Sequence, residues 1–255
     1  MGRVLLVRLP GSLRPHFAEI GEAWVRELGV ETVLTQVAPV EGELRQPSVE
    51  RIAGETTETE VLEFGIRYQF DAAKIMFATG NRTERRRAGR LTQPGERVAD
   101  LFAGIGYFAI PAAVEGRARQ VVAIEKNPAS FDYLRRNVAL NRVTDRVVPV
   151  LGDNRSVELE RGSFDRVFLG YLPSSVDWIP RALALLVPGG GSLHVHLVAD
   201  VRSGITGAER NVIDAAIAAG GEVRAAQGRE VKPYGPGRFH AVVDLSVVPT
   251  TSGPG

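Results

Sequence analysis

The chain contains no cysteine, which excludes disulfides, thiolate metal sites and cysteine nucleophiles, and suits a reducing compartment. Long apolar runs are missing too. No window approaches eighteen apolar residues, and the apolar stretch in the opening MGRVLLVRLPGSLRPH is too short and interrupted for a signal-peptide core. Membrane insertion is therefore not expected, and a cytoplasmic location is. Charge of one sign is also lacking: 31 basic and 30 acidic residues leave a net charge of +1. The chain as a whole thus has no general attraction for a phosphate backbone, and any nucleic-acid contact must come from a local cluster. Lysine occurs only at Lys74, Lys126 and Lys232, against a background of arginine. No carboxylate–histidine spacing supports a metal site, so no metal is expected. Internal repeats and low-complexity linkers are absent as well.

What is present is ordinary globular material: 255 residues, 44% hydrophobic and 24% charged, enough for one large core or two unequal ones. Residues 3–8 read as a strand, 15–28 as an amphipathic helix and 31–36 as a second strand, followed by a polar stretch over 38–60. This pattern predicts a small α+β domain over residues 1–75. Residues 62–72 alternate as a β-hairpin arm would. The segment from 74 to 91 reads as a connecting helix carrying Arg82, Arg85, Arg86, Arg87 and Arg90, placed at 76–92 in the domain plan. From residue 93 to 249, apolar runs alternate with helical patterns: RVADLFAG, QVVAIE, RVVPVLGDN, FDRVFLGYLP and SLHVHLVAD, with helices to about 116, at 128–141, 176–187 and 207–219. Such alternation specifies βαβ units, hence a mostly parallel, Rossmann-like sheet covered on both faces. Strands at 222–230 and 239–247 add an antiparallel edge pair, and residues 250–255 form a tail.

In an open parallel sheet, ligands bind beyond the carboxyl ends of the strands, where strand order reverses. The first of these strands ends in Asp100, Leu101, Phe102, Ala103, Gly104, Ile105 and Gly106. Glycines at 104 and 106 permit a tight turn and close approach of backbone to ligand. Ala109 stands where a dinucleotide fingerprint has its third glycine, which demotes NAD. The second strand ends in Glu125-Lys126-Asn127, an acid about two dozen residues after Asp100, where a ribose diol would lie. The third ends in Asp153-Asn154, a carboxylate and an amide suited to an adenine edge. Asp, Glu and Asp-Asn at three successive strand ends form the usual arrangement for S-adenosylmethionine (SAM) in a class I methyltransferase-type domain.

Over nearly its full length the chain resembles the archaeal and eukaryotic wybutosine-synthesis enzymes that transfer the 3-amino-3-carboxypropyl group of SAM to a tRNA guanosine derivative. Those enzymes are relatives of the tRNA guanine-37 N1-methyltransferases. The resemblance is carried by FDAAKIMF with GNRTER (70–77 and 80–85), by Asp100 to Phe108 with AIEKNP, by GDNR with LGYLPSS (Leu169–Ser175), and by HVH with KPYGPGRFHAVVD. Related methyltransferases carry Asn-Leu-Pro where this chain has Gly170, Tyr171, Leu172, Pro173 and Ser174, so the resemblance favours aminocarboxypropyl transfer with methylthioadenosine as leaving group. It implies that Arg85 salt-bridges the methionyl carboxylate, that Glu125 holds the ribose, and that Asp153 with Asn154 holds the adenine. A family serine corresponds to Ala78 here, with Thr79 as a substitute. Phe102, Lys126, Gly170 and Tyr171 complete the expected cofactor site. Lys74, Asn81, Pro173, Ser174, Lys232 and Tyr234 are expected at the substrate or RNA, with Tyr234 available to stack on a flipped base.

His194 and His196 alternate on one strand and so share a face. Both are candidates for orienting substrate or accepting a proton, and both are equally readable as core histidines; His240 is a weaker candidate. tRNA is the expected partner, with a small-molecule acceptor as an open alternative. Three other readings stand beside aminocarboxypropyl transfer to tRNA: a SAM-dependent methyltransferase, a transferase or cyclase of secondary metabolism, and a catalytically silent RNA-binding module.

Overall fold

The computed structural model describes residues 1–42 and 46–250. Its centre is a seven-stranded sheet built from β6 (Arg97–Asp100), β7 (Gln120–Glu125), β8 (Val147–Leu151), β9 (Arg166–Leu169), β10 (Gly191–Asp200), β11 (Gly221–Gly235) and β12 (Arg238–Pro249). The spatial order is β11-β12-β10-β9-β6-β7-β8, with only β12 antiparallel to its neighbours. The chain moves outward from β6 through β7 to β8, then returns to the other side of β6 with β9. The strand order therefore reverses between β6 and β9, and that is where a ligand crevice opens.

The strands form here because their apolar residues run continuously rather than alternately. Val98, Ala99, Val121, Ala123, Ile124, Val167, Phe168 and Leu169 are all buried, as expected for a sheet covered on both faces. One core lies between the sheet and α3 (Ala109–Val114) with α4 (Pro128–Leu140). The other lies under α5 (Ile179–Leu185) and α6 (Gly204–Ala218). At the free edge, Pro149 in β8 has no N–H to offer a neighbouring chain.

The N-terminal part holds β1 (Val4–Val7), α1 (Phe17–Leu28), β2 (Thr32–Glu41) and β3 (Gln46–Ala53), with sheet order β1-β2-β3. The polar stretch over 38–60, in which the sequence pattern shows no element, begins with the end of β2. It holds β3 and the start of β4 (Glu58–Glu63), edge-type strands whose many polar residues mask the period-two signal. β4 pairs with β5 (Ile66–Asp71) through a two-residue turn, Phe64-Gly65. The free edge of β5 is capped by two asparagines one helical turn apart, Asn137 on α4 and Asn141 at its C-terminal end. Asn137 accepts from the Gln69 N–H at 2.7 Å and donates to its carbonyl at 3.1 Å, and Asn141 does the same with Arg67 at 2.9 and 2.7 Å. Side-chain amides thereby stand in for a third strand.

The connecting helix is shorter than the sequence pattern suggests: α2 spans Arg82–Leu91, preceded by a 3₁₀ turn at Thr79–Asn81. Residues 74–78 run as a non-helical strap, held where the Tyr107 hydroxyl donates to the Met76 carbonyl at 2.6 Å. Gly80 and Asn81 break the helix that the arginine run alone implied. Of the expected tail, Thr250 is tied to the Gly220 carbonyl by its N–H and hydroxyl at 2.8 and 2.7 Å; residues 251–255 lie outside the described residues.

Candidate active site

A cavity of about 440 Å³ opens at the switch point, walled by the strap, the start of α2, the ends of β6, β7 and β9 and the middle of β10, with the segment after β8. Of the residues singled out in the sequence, Lys74, Asn81, Arg85, Phe102, Gly104, Glu125, Lys126, Asp153, Asn154, Gly170, Tyr171 and His196 line it. Asp100, Gly106, Pro173, Ser174, His194, Lys232 and Tyr234 do not.

Asp100 and Gly106 act from behind the wall. The Asp100 carboxylate is fully buried and accepts the backbone N–H groups of Phe102 and Ala109, both at 3.2 Å, which shapes the loop between β6 and α3. Burial pushes its pKa up to about 7, against those backbone hydrogen bonds. Gly104 and Gly106 have φ of +57° and +102°, and a Cβ on Gly106 would lie 2.5 Å from Ile110 Cδ1. The loop conformation therefore requires glycine there.

The Glu125 carboxylate joins the loop to the end of β7, accepting the N–H of Gly104 at 2.8 Å and of Asn127 at 2.7 Å. Burial raises its pKa and these backbone donors oppose the rise. Asp153 is held below the usual carboxylate range, first by the Arg155 N–H and then by Lys126, whose Nζ lies 2.9 Å from Oδ2. Two carboxylates on adjacent strand ends thus border one cavity. The Asn154 side chain is spent on the protein: its Nδ2 donates to the Leu101 carbonyl and its Oδ1 accepts from Trp178 Nε1, both at 2.7 Å. Its side chain fastens the segment after β6 to the 3₁₀ turn that leads into α5. An aromatic corner of Phe102, Tyr171 and Trp178 closes that end, with ring centroids 5.1–5.6 Å apart. Trp178 was not singled out in the sequence, although it is one of only two tryptophans. Met76 and Leu172, from the FDAAKIMF and LGYLPSS segments, also line the cavity, and so does Ser130, which has no sequence signal of its own.

Arg85 is buried, and its guanidinium is engaged rather than free. Nε and Nη2 donate side-on to Glu63 at 2.7 and 2.8 Å, and Nη1 donates to the Ala78 carbonyl at 2.9 Å. Three of its five N–H groups are thereby accounted for. Ala78 lines the cavity and Thr79 does not.

The two strand histidines separate. His194 lies in a buried ionic ladder away from the cavity: Nδ1 is 2.5 Å from Asp244 and Nε2 is 2.6 Å from Arg166. Arg166 also grips Glu96 at 2.7 and 2.9 Å, and Arg87 pairs with Asp244. Because Arg166 can only donate, His194 Nε2 accepts and the proton sits on Nδ1, facing the carboxylate. Of the two readings that the sequence leaves open, His194 takes the place of a core histidine, because it does not reach the cavity. His196 does line the cavity, with Nδ1 2.9 Å from His240 Nε2, and His240 lines it too. Burial holds both His194 and His196 well below the usual histidine range.

Pro173 and Ser174 clamp the segment and do not line the cavity. The Pro173 carbonyl accepts the Val198 N–H at 2.7 Å, and Ser174 bridges to Leu197. Lys232 lies across the rim, its Nζ 3.4 Å from where a Gly80 Cβ would be, and Tyr234 is two residues further along β11. No group of three or more His, Asp or Glu side chains among the described residues is placed to hold a metal ion. No described helix is long and apolar enough to cross a membrane.

Comparison with known proteins accords with this geometry. The TRM5/TYW2 methyltransferase domain model matches residues 59–217, and the TYW2 N-terminal domain model matches residues 1–57. A tRNA(Phe) (4-demethylwyosine(37)-C(7)) aminocarboxypropyltransferase of Pyrococcus horikoshii is 37% identical over 247 residues, covering 97% of this chain and 87% of the relative. The crystal structure of P. horikoshii TYW2 in complex with MeSAdo superposes with a TM-score of 0.88 at 34% identity, covering 98% of this chain and 90% of that one. The structure of M. jannaschii TYW2 in complex with AdoMet gives a TM-score of 0.77 at 32% identity, covering 88% and 95%. With a family model spanning most of its length and a relative matched almost end to end, the chain belongs to the TRM5/TYW2 methyltransferase family.

Proposed function

We propose that this chain transfers the 3-amino-3-carboxypropyl group of SAM to C7 of a wyosine-precursor guanosine in tRNA, releasing methylthioadenosine. The observation that carries the reading is the single cavity into which the strand ends bring Glu125, Asp153, Gly104 and the Phe102–Tyr171–Trp178 corner. Relatives named for this transfer match nearly the whole chain, and the LGYLPSS segment stands where methyltransferases carry Asn-Leu-Pro.

The residues present fit SAM. The Gly104–Gly106 turn brings backbone to the cavity wall, Glu125 faces where a ribose diol belongs, and Asp153 with the Asn154 backbone N–H offers an acceptor and a donor to an adenine edge. Arg85, with its side-on edge on Glu63, keeps two N–H groups for the methionyl carboxylate. When bound, SAM supplies a sulfonium-activated carbon whose leaving group is a neutral thioether. The chain's share is then orientation and exclusion of water, for which the strap and the clamped LGYLPSS segment form two sides of an enclosure. His196, neutral because it is buried, is placed with His240 to take up the proton lost from the substrate carbon. The packing of the β4–β5 hairpin against α4 supports a domain division near residue 57. tRNA is the partner in this reading, and the cytoplasm is the compartment.

Mass spectrometry of the cofactor products, with and without wyosine-precursor tRNA, tests the proposal. Methylthioadenosine that appears only with tRNA is the expected result. S-adenosylhomocysteine would make the chain a methyltransferase, and methylthioadenosine without tRNA would move the acceptor to a small molecule.

A further inference from the structure

α2 carries five arginines, and their surroundings divide them. Arg85 is paired with Glu63, Arg87 with Glu84 and Asp244, and Arg90 with Glu115. Arg82 and Arg86, one helical turn apart, have no carboxylate within ion-pair distance among the described residues. Arg86 Nε is buried without a hydrogen-bond partner. Instead, both guanidinium groups lie over one ring, that of Phe64, with their central carbons 4.5 and 4.3 Å from its centroid.

Phe64 is itself in an unfavourable place. It occupies the first position of the Phe64-Gly65 turn with φ +50°, followed by Gly65 at +83°. Such a turn ordinarily takes Asn-Gly, because a bulky side chain in the left-handed region costs about 1–2 kcal/mol. The ring also remains 42% exposed, so burial does not offset that cost. What the strained position achieves is an aromatic ring that holds two cations at once, the exposed Arg82 and the half-buried Arg86. The place adjoins the cavity, since Arg82 follows Asn81 and Arg86 follows Arg85, both of which line it.

We infer that Phe64, Arg82 and Arg86 form a phosphodiester-binding platform that holds the tRNA backbone beside the cavity. Charge complementarity commits the occupant to RNA: two uncompensated guanidinium groups in a chain of net charge +1 match phosphate oxygens, which Arg takes in bidentate fashion. The inference rests on the proposed tRNA acceptor and adds to it a contact that carries no base specificity.

The test compares wild type with Arg82→Gln, Arg82→Gln/Arg86→Gln and Arg82→Lys/Arg86→Lys. Two quantities are read: affinity for wyosine-precursor tRNA across a salt series, and affinity for SAM by calorimetry. The double Gln variant is expected to bind tRNA about tenfold more weakly, with a salt slope about one to two smaller in magnitude, and to bind SAM as wild type does. The Lys variant should recover most of the slope but not all of the affinity. Unchanged tRNA affinity and slope in the Gln variants, with tRNA bound by wild type, would overturn the platform alone. Absence of tRNA binding by wild type would instead overturn the acceptor reading on which it rests. If the double variant misfolds, shown by lost SAM binding, the exposed Arg82→Gln carries the test with an expected slope change of about one.

Discussion

At the scale of single residues, the site is built from charges whose burial makes them costly, and two of them give measurable consequences. Asp100 has its pKa raised from 3.8 to about 7 by burial, so between those values the folded state keeps a proton that the unfolded state has lost. Stability therefore falls as pH rises across that window, by up to about 4 kcal/mol, and the loss is complete above about 7. Asp100→Asn removes the titration while imposing a pH-independent cost. The difference in unfolding free energy between wild type and variant, followed from pH 4 to 8 by urea melts, should change between pH 4 and about 7 and level off above it. A constant difference would mean that Asp100 titrates normally. The Arg85–Glu63 pair is the second case, with both side chains less than a tenth exposed. Arg85→Met strands a buried carboxylate and should cost about 3–5 kcal/mol, whereas Arg85→Met/Glu63→Leu should recover most of that. Additive losses in the double-mutant cycle would show that the two side chains are not coupled.

At the scale of elements, the loop between β6 and α3 is the part that tolerates least. Gly106→Ala places a Cβ 2.5 Å from Ile110 and 3.2 Å from Leu134 at φ +102°, so the loop must shift. Stability should drop by about 2 kcal/mol, and SAM affinity should fall more than tenfold. Gly29, which ends α1 at φ +65° with open space around its Cβ position, is the control: Gly29→Ala should cost about 1 kcal/mol and leave SAM affinity unchanged. Equal effects of the two substitutions on SAM binding would show that the loop geometry does not matter to the cofactor. This loop was legible in the sequence because strand, glycines and strand-end acids recur at spacings set by the βαβ unit. The strap at 74–78 was not, because a run of good helix formers conceals a break made by Gly80 and Asn81. β3 was missed for a similar reason: one partly buried face of a short strand shows little alternation. The roles of Asn154, Arg85 and His194 could not be read from sequence either. Each of these polar side chains is taken up by a partner from a distant segment, Trp178, Glu63 and Asp244 respectively, and only the fold brings those partners within reach.

At the scale of the molecule, a net charge of +1 means that attraction for tRNA comes from one side of the protein and not from its overall field. Around the cavity mouth stand Lys74, Lys126, Arg155 and Lys232, with Arg82 and Arg86 alongside. Two of these are already compensated, Lys74 by Asp71 and Lys126 by Asp153, and the cations offered to phosphate are Arg82, Arg86 and Arg155. Single-stranded RNA releases about 0.7 counterion per neutralised phosphate and a duplex about 0.9. The logarithm of the tRNA association constant should therefore fall against the logarithm of salt concentration with a slope between about −2 and −3. Fluorescence anisotropy of labelled tRNA from 50 to 300 mM salt measures it. A slope near zero would mean that recognition runs through base contacts inside the cavity alone. A slope steeper than about −6 would require a second basic surface; in that case the N-terminal part, where Arg3, Arg14 and Arg26 are paired with acids at the surface, would have to give up those pairs on binding.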